Sequence, residues 1–287
     1  MLASLPMLLG LAFSSAEEVP QPNILVVVLD DVGVDSVGVY AEGTDPAPTP
    51  IFDSLAQSGV LFRNAWANPI CSPSRAEILT GRYGFRTGVG HIVGANSWAL
   101  ALSELTIPEV LARNPALGYR SAAFGKWHLS SNLVGGGDLG PNLQGFEHFA
   151  GTWGNIDPGT ESYYAYEKLV DGQRAPATGY ATTEVVDDAL AWIQGSADPW
   201  FCYVAFQAPH DPFHAPPAHL HTQDAQINGL DPRFFPRPFY LAMLEAADTE
   251  MGRLLAGIGA DLANTHVIVL GDNGTPREAS IAPFEPE

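Results

Sequence analysis

The stretch Cys71-Ser72-Pro73-Ser74-Arg75 gathers a thiol, two hydroxyls and a guanidinium within five residues. Proline suits the first position of a helix, where its missing N–H costs nothing, and a serine before it can cap the free N–H groups. The spacing therefore predicts a helix that starts at Pro73 with Ser72 as its cap. Cys71 then lies just off a helix N-terminus, where unpaired N–H groups and the helix dipole favour negative charge. Arg75, one turn in, can point back to the same spot. A helix start is a common place for a low-pKa thiol; together with the arginine, it also suits a nucleophile that must work beside an anion.

Asp30-Asp31 and Asp272-Asn273 offer a second chemistry. Each pair closes an apolar, β-branched run: Asn23 to Leu29 and Thr265 to Leu270. Two adjacent carboxylates repel unless a cation or a basic group joins them. These hard oxygen donors suit Ca2+, and Mg2+ less readily because it keeps much of its water. Each pair by itself is also ordinary turn chemistry; together, at the ends of two apolar strands, they make a candidate metal site. Lys126 and His128, in Gly125-Lys126-Trp127-His128-Leu129, and His210, after Pro209, likewise follow apolar strands; by themselves a Lys and a His two apart on a loop are commonly at the surface.

The elements that must position these groups alternate between strand and helix. Asn23–Leu29 reads as a central parallel strand covered on both faces. Residues 50–58 read as a helix capped by Thr49, and Val60–Ala67 as a second strand leading to Cys71. Thr106-Ile107-Pro108-Glu109 is a capping box opening a helix to Arg113. Ser121–Phe124 is a short strand. Residues 130–180, rich in glycine and aromatics, read as a long excursion shaping the rim of a site, with a hairpin around Lys168 to Arg174. Residues 183–194 form an amphipathic helix. Trp200–Gln207 is a strand in which Cys202 is a buried residue, 209–221 is a loop, and 239–258 is a long helix with Glu245 and Asp248 on its exposed face. His214, His219 and His221 read as loop polar residues, His91 as structural, and Arg82 and Arg86 as anchors near the site. Asp30-Asp31, Lys126 with His128, His210 and Asp272-Asn273 follow apolar strands at their carboxyl ends, the edge where open α/β sheets bind ligands.

The 287 residues suffice for one large α/β domain, and 46% hydrophobic content permits a sizeable core. The net charge of −19 excludes a nucleic-acid partner, which needs a basic face. It also requires that any anion site be a local positive pocket. Residues 1–16 read as a signal peptide, with an apolar core from Leu5 to Phe13 and Ser14-Ser15-Ala16 as the cleavage site, although no Lys or Arg precedes Arg63. That core is too short for a membrane span. With Cys71 and Cys202 alone, no disulfide framework is expected. The mature chain is expected outside the cell or in the periplasm.

Cys71-x-Pro73-Ser74-Arg75 followed by Leu79-Thr80-Gly81-Arg82 resembles the signature of the type I sulfatases, and the other motifs fall in that family's order from Pro22 to Asn273. The resemblance implies an alkaline-phosphatase-like α/β fold with a mostly parallel central sheet and helices on both faces. It implies that Cys71 is oxidised to formylglycine by a maturation enzyme, and that Asp30, Asp31, Cys71 as formylglycine, Asp272 and Asn273 hold the metal. It makes Lys126 and Arg75 the cations facing sulfate, His128 the partner of the nucleophile's second hydroxyl, and His210 the group near the leaving oxygen. The implied substrate is a sulfated small molecule or carbohydrate. A phosphodiesterase or phosphonate monoester hydrolase of the same superfamily is the alternative, as is a catalytically dead fragment that only binds. The family pattern has a further lysine beyond the Asp-Asn pair and then a smaller region with its own sheet. Here the last lysine is Lys168, and Arg277 is the only basic residue after Asn273. The resemblance therefore implies that 17–287 is an incomplete catalytic domain without that small sheet.

Overall fold

The computed structural model describes residues 21–196 and 199–282, so the expected signal peptide at 1–16 lies outside the described residues. In chain order the strands are β1 (Asn23–Leu29), β2 (Arg120–Lys126), β3 (His148–Thr152), β4 (Tyr166–Val170), β5 (Gln173–Ala177), β6 (Trp200–Ala205) and β7 (Thr265–Gly271). The helices are α1 (Pro50–Ser58), α2 (Cys71–Thr80), α3 (Gly84–Thr87), α4 (Ile107–Ala112), α5 (Gly140–Leu143), α6 (Ala181–Gln194), α7 (Asp224–Ile227) and α8 (Pro236–Ile258). They build one seven-stranded sheet in the order β5-β4-β3-β2-β6-β1-β7. From β3 to β7 all neighbours are parallel, and β4 and β5 add an antiparallel hairpin at one edge.

Strand alternation divides the core into two layers. Leu25, Val27 and Leu29 of β1 face a cluster with Cys202 and Val204 of β6, Val186 and Ala189 of α6, and Leu244, Ala247 and Met251 of α8. Val26 and Val28 face the other way, into a cluster with Ala76 and Leu79 of α2, Trp127, Phe146, Phe149 and Tyr203. A sheet buried on both faces explains why β1 reads as a continuous apolar run. Truncating a fully buried residue such as Leu244 costs about 2–5 kcal/mol in such cores.

Several expectations are refined. The hairpin is present but longer, over 166–177, and β2, α6 and α8 all begin earlier than the sequence suggested. The capping box of α4 is formed, with Thr106 and Glu109 serving each other's backbone. Strand β3 was missed, being five residues long with Gly151 inside it.

Others are corrected. Val60–Ala67 forms no strand, and Val60, Phe62 and Trp66 are exposed; β-branched and aromatic residues extend into a sheet only where a partner strand waits. The long helix has no exposed face at Glu245 or Asp248, since both are buried. Asp248 accepts the first-turn N–H groups of Ile51 at 3.1 Å and Phe52 at 2.8 Å, so it caps α1 in place of Thr49. Glu245 accepts from the Thr222 N–H at 2.9 Å and its hydroxyl at 2.8 Å, tying the loop before α7 to α8.

Candidate active site

Four adjacent parallel strands, in the order β2-β6-β1-β7, deliver the candidate residues to one edge. Lys126 ends β2, His210 follows β6, Asp30 and Asp31 follow β1, and Asp272 and Asn273 follow β7. Parallel pairing puts these carboxyl ends side by side. Gly125 makes the last turn of β2 possible: its φ is +90°, and a Cβ there would meet the Ala205 carbonyl oxygen at 1.9 Å.

Helix α2 supplies the rest, with a different start from the expected one. It begins at Cys71 with Ile70 as its uncapped N-cap, so Cys71 sits in the first turn and Pro73 at the third position. Ser72 does not cap. Its hydroxyl accepts the Val93 N–H at 3.0 Å, a tertiary contact that holds the following loop. Ser74 accepts the Asn68 N–H at 2.9 Å.

The side chains converge. Arg75 is fully buried; its Nε and Nη2 lie 2.9 and 2.8 Å from Oδ2 of Asp272, and its Nη1 donates to the Lys126 carbonyl at 2.9 Å. Lys126 Nζ donates to Asp30 Oδ2, and Asn273 Nδ2 donates to Asp31 Oδ1. The Asp31 N–H donates to Asp272 Oδ1 at 3.2 Å, locking the two acidic loops together. Asp31 and His128 hold left-handed backbone, with φ of 65° and 62°; non-glycine residues so placed carry strain that the surroundings must hold.

Electrostatics follow from burial. Asp30 is fully buried, yet Lys126, His210 and Arg75 outweigh the burial and hold its carboxyl well below the usual range. Burial, then the charge of Asp30, pushes Asp31 and Asp272 up. Burial and Asp30 also raise the Cys71 thiol to about 12, so Cys71 is a neutral thiol and the low-pKa thiolate expected of a helix start does not form. Burial, then Lys126 and Arg75, drives His128 well below its ordinary value, leaving it neutral. For His210, burial is outweighed by Asp30 and by its bond to Asp211, and its value rises to about 9.

The residues fit a divalent cation. Ligating atoms of Asp30, Asp31, Cys71 and His210 all lie within 4.8 Å of one another. Two oxygens in this centre, Asp30 Oδ1 and Asn273 Oδ1, are buried without a hydrogen-bond partner. Buried acceptors without donors are rare unless something else satisfies them, and acidic and amide oxygens are what Ca2+ takes.

All nine candidate residues therefore lie at this edge. His91 is exposed, Arg82 pairs with Glu104 at the surface, and Arg86 lies over the Phe85 ring, so these two arginines are surface groups rather than anchors of the site. His221 is buried, accepting the Gln223 N–H at 3.1 Å, and His214 packs among Tyr163, Tyr164 and Tyr180; neither is a plain loop polar residue. The sequence reading missed several supports. Tyr163 donates to the His210 carbonyl at 2.8 Å, Tyr240 donates to the Asp31 carbonyl at 2.9 Å, and Asp211 pairs with His210 at 3.0 Å. Only Asp211, adjacent to His210, carried a sequence signal; the tyrosines read as core.

A parallel sheet whose edge gathers buried carboxylates around buried cations defines an α/β protein of the alkaline-phosphatase-like class. Solved structures share the architecture. Ps i-CgsB in complex with k-i-k-neocarrahexaose superposes with a TM-score of 0.75 at 26% identity, covering 92% of this chain and 61% of that one. BT4656 in complex with its substrate D-glucosamine-2-N,6-O-disulfate has the same fold, at a TM-score of 0.70 and 22% identity over 88% of this chain and 66% of that one. The family model described as Sulfatase matches residues 22–286, and the chain belongs to the sulfatase family. Its relatives include arylsulfatase J of Mus musculus, 29% identical over 88% of this chain and 43% of the relative. N-acetylgalactosamine-6-sulfatase of Sus scrofa is 31% identical over 92% of this chain and 52% of the relative. The chain thus spans about half the length of the curated relatives it matches.

Proposed function

We propose that this chain hydrolyses sulfate esters through Cys71 converted to formylglycine, with Ca2+, in preference to Mg2+, held by Asp30, Asp31, Asp272, Asn273 and the converted Cys71. The convergence of acidic oxygens, Cys71 and two buried cations at one sheet edge carries the reading. When bound, the cation withdraws charge from the sulfuryl oxygens.

Cys71 as it stands is a poor nucleophile, because burial and Asp30 keep it protonated. The hydrate of an aldehyde at this position can attack sulfur with one hydroxyl and release sulfate as the other loses its proton and the carbonyl re-forms. Arg75 and Lys126 supply fixed positive charge next to the tetrahedral anion, inside a protein whose net charge repels anions at a distance. His128 is neutral and its Nδ1 has no partner, so it can take the proton that sulfate release liberates. Asp30 and the bond to Asp211 outweigh burial and raise His210 to about 9, which favours a proton on its ring that it can give to the departing alcohol oxygen.

The proposed substrate is a sulfated small molecule or carbohydrate, in keeping with the names of the relatives and the sugars held by the structural neighbours. A formylglycine-generating enzyme is the implied maturation partner. Export to the periplasm or the medium is proposed from the apolar run Leu5–Phe13, and no described helix is long and apolar enough to cross a membrane.

The test is to produce the protein with a maturation enzyme, confirm the aldehyde at position 71 by peptide mass spectrometry, and compare aryl sulfate with aryl phosphate. Sulfate turnover that chelation abolishes supports the reading. Converted protein that turns over phosphate in preference points to the phosphoester alternative, and converted protein inert towards sulfate esters overturns the hydrolase.

A further inference from the structure

Apart from Cys71 on α2, the proposed ligands sit on two loops that the chain reaches far apart: the loop after β1 and the loop after β7. Besides the Asp31–Asp272 and Asn273–Asp31 bonds, a side chain that is not itself a proposed ligand ties them. The Thr275 hydroxyl donates to Asp35 Oδ1 at 2.5 Å, across 240 residues of sequence. Thr275 Oγ1 also accepts the Gly33 N–H at 3.3 Å and lies 2.9 Å from the Ser36 hydroxyl and 3.4 Å from the Tyr240 hydroxyl. Tyr240 in turn donates to the Asp31 carbonyl at 2.9 Å. Asp35, Ser36 and Tyr240 are all buried.

The arrangement is tight. A Cβ on Gly33 would meet Asp35 Oδ1 at 2.5 Å and Thr275 Oγ1 at 2.7 Å, so the loop after β1 has a glycine where Thr275 enters. Thr275 follows Asn273 by two residues, and Gly33 follows Asp31 by two. The hydroxyl thus fixes both loops at the same distance from their ligand pairs. Sequence gave no hint of this, since a threonine after Asp272-Asn273-Gly274 reads as turn chemistry.

We propose that Thr275 is a positioning residue for the cation centre: its hydroxyl, held by Asp35, Ser36 and Gly33, sets the spacing between Asp30-Asp31 and Asp272-Asn273. This rests on the cation reading given above. Outer partners that orient metal ligands typically change metal affinity 10- to 100-fold when lost. Thr275→Val removes the hydroxyl and keeps the shape, whereas Thr275→Ser keeps the hydroxyl.

The experiment titrates Ca2+ alone into chelator-stripped protein by calorimetry, for wild type and both variants, and records melting temperature in EDTA and in saturating Ca2+. Thr275→Val is expected to bind Ca2+ about 10- to 100-fold more weakly, with its EDTA melting temperature little changed, and Thr275→Ser to bind nearly as wild type. A Thr275→Val protein that binds as wild type overturns the proposal, as does one that loses stability in EDTA at full affinity. Should Thr275→Val fail to fold, Ser36→Ala removes one partner of the hydroxyl; severalfold weaker binding supports the proposal and unchanged binding overturns it. Wild type that does not bind Ca2+ removes the cation reading itself, a result distinct from a Thr275 variant that binds normally.

Discussion

Arg75 and Asp272 form a pair with no exposure to solvent: Nε and Nη2 of the guanidinium both lie within 3 Å of a single carboxylate oxygen, at 2.9 and 2.8 Å. The pair joins the first turns of α2 to the end of β7, and the remaining Arg75 nitrogen secures the end of β2 through the Lys126 carbonyl. Three elements of the site therefore hang on one side chain.

Removing one partner of a buried ion pair leaves the other charge without compensation, at a cost of about 3–5 kcal/mol. Arg75→Met is therefore expected to lower the unfolding free energy by about that amount, measured by urea denaturation at pH 7. A loss below about 1 kcal/mol would show that the pair contributes no more than a surface bridge.

The buried acceptor oxygens predict that chelation destabilises the protein. A ligand bound only to the folded state adds RT ln(1 + [L]/Kd), about 2.7 kcal/mol at a hundredfold excess over Kd. EDTA should lower the melting temperature, Ca2+ should restore it, and Asp31→Asn should blunt the response. An Asp31→Asn protein with an undiminished Ca2+ response would rule out Asp31 as a ligand.

Unconverted Cys71 is expected to resist alkylation. Burial and Asp30 hold its thiol at about 12, and burial holds that of Cys202 higher still. Iodoacetamide at pH 8 should label neither residue in the folded protein and both in urea. Rapid labelling of folded Cys71 would mean a reactive thiolate and weaken the case for conversion.

His214 predicts an acid-sensitive fold. Burial lowers it to about 4, against a Pro212 carbonyl that favours charge, and its ring lies 4.3 Å from that of Tyr163. Between pH 6.5 and 4 the unfolded chain binds a proton that the folded chain refuses. The contribution is therefore complete above about pH 6.5 and is lost as pH falls towards 4, up to about 3 kcal/mol. His214→Phe should flatten this part of the stability profile; an identical slope would refute the assignment.

What the sequence by itself determined was the apolar strands β1, β2, β6 and β7 and the polar residues at their carboxyl ends. The run Asn23–Leu29 is buried as a central strand, whereas Thr265–Leu270 is an edge strand with His266 and Ile268 exposed; the nine candidate residues follow from motifs that local chemistry makes conspicuous. Tertiary structure decided what those residues do to one another. Burial and Asp30 push the Cys71 thiol up, and nothing near Cys71 in sequence says so. Asp248 and Glu245 looked like the wet face of α8, yet they cap α1 and bind the loop before α7, because only packing reveals which free N–H groups lie opposite a helix. Val60–Ala67 has strand composition and no strand, because pairing needs a neighbour that sequence does not supply. Thr275 binds Asp35 across most of the chain, and a contact between residues so distant exists only once the sheet has brought β1 and β7 together.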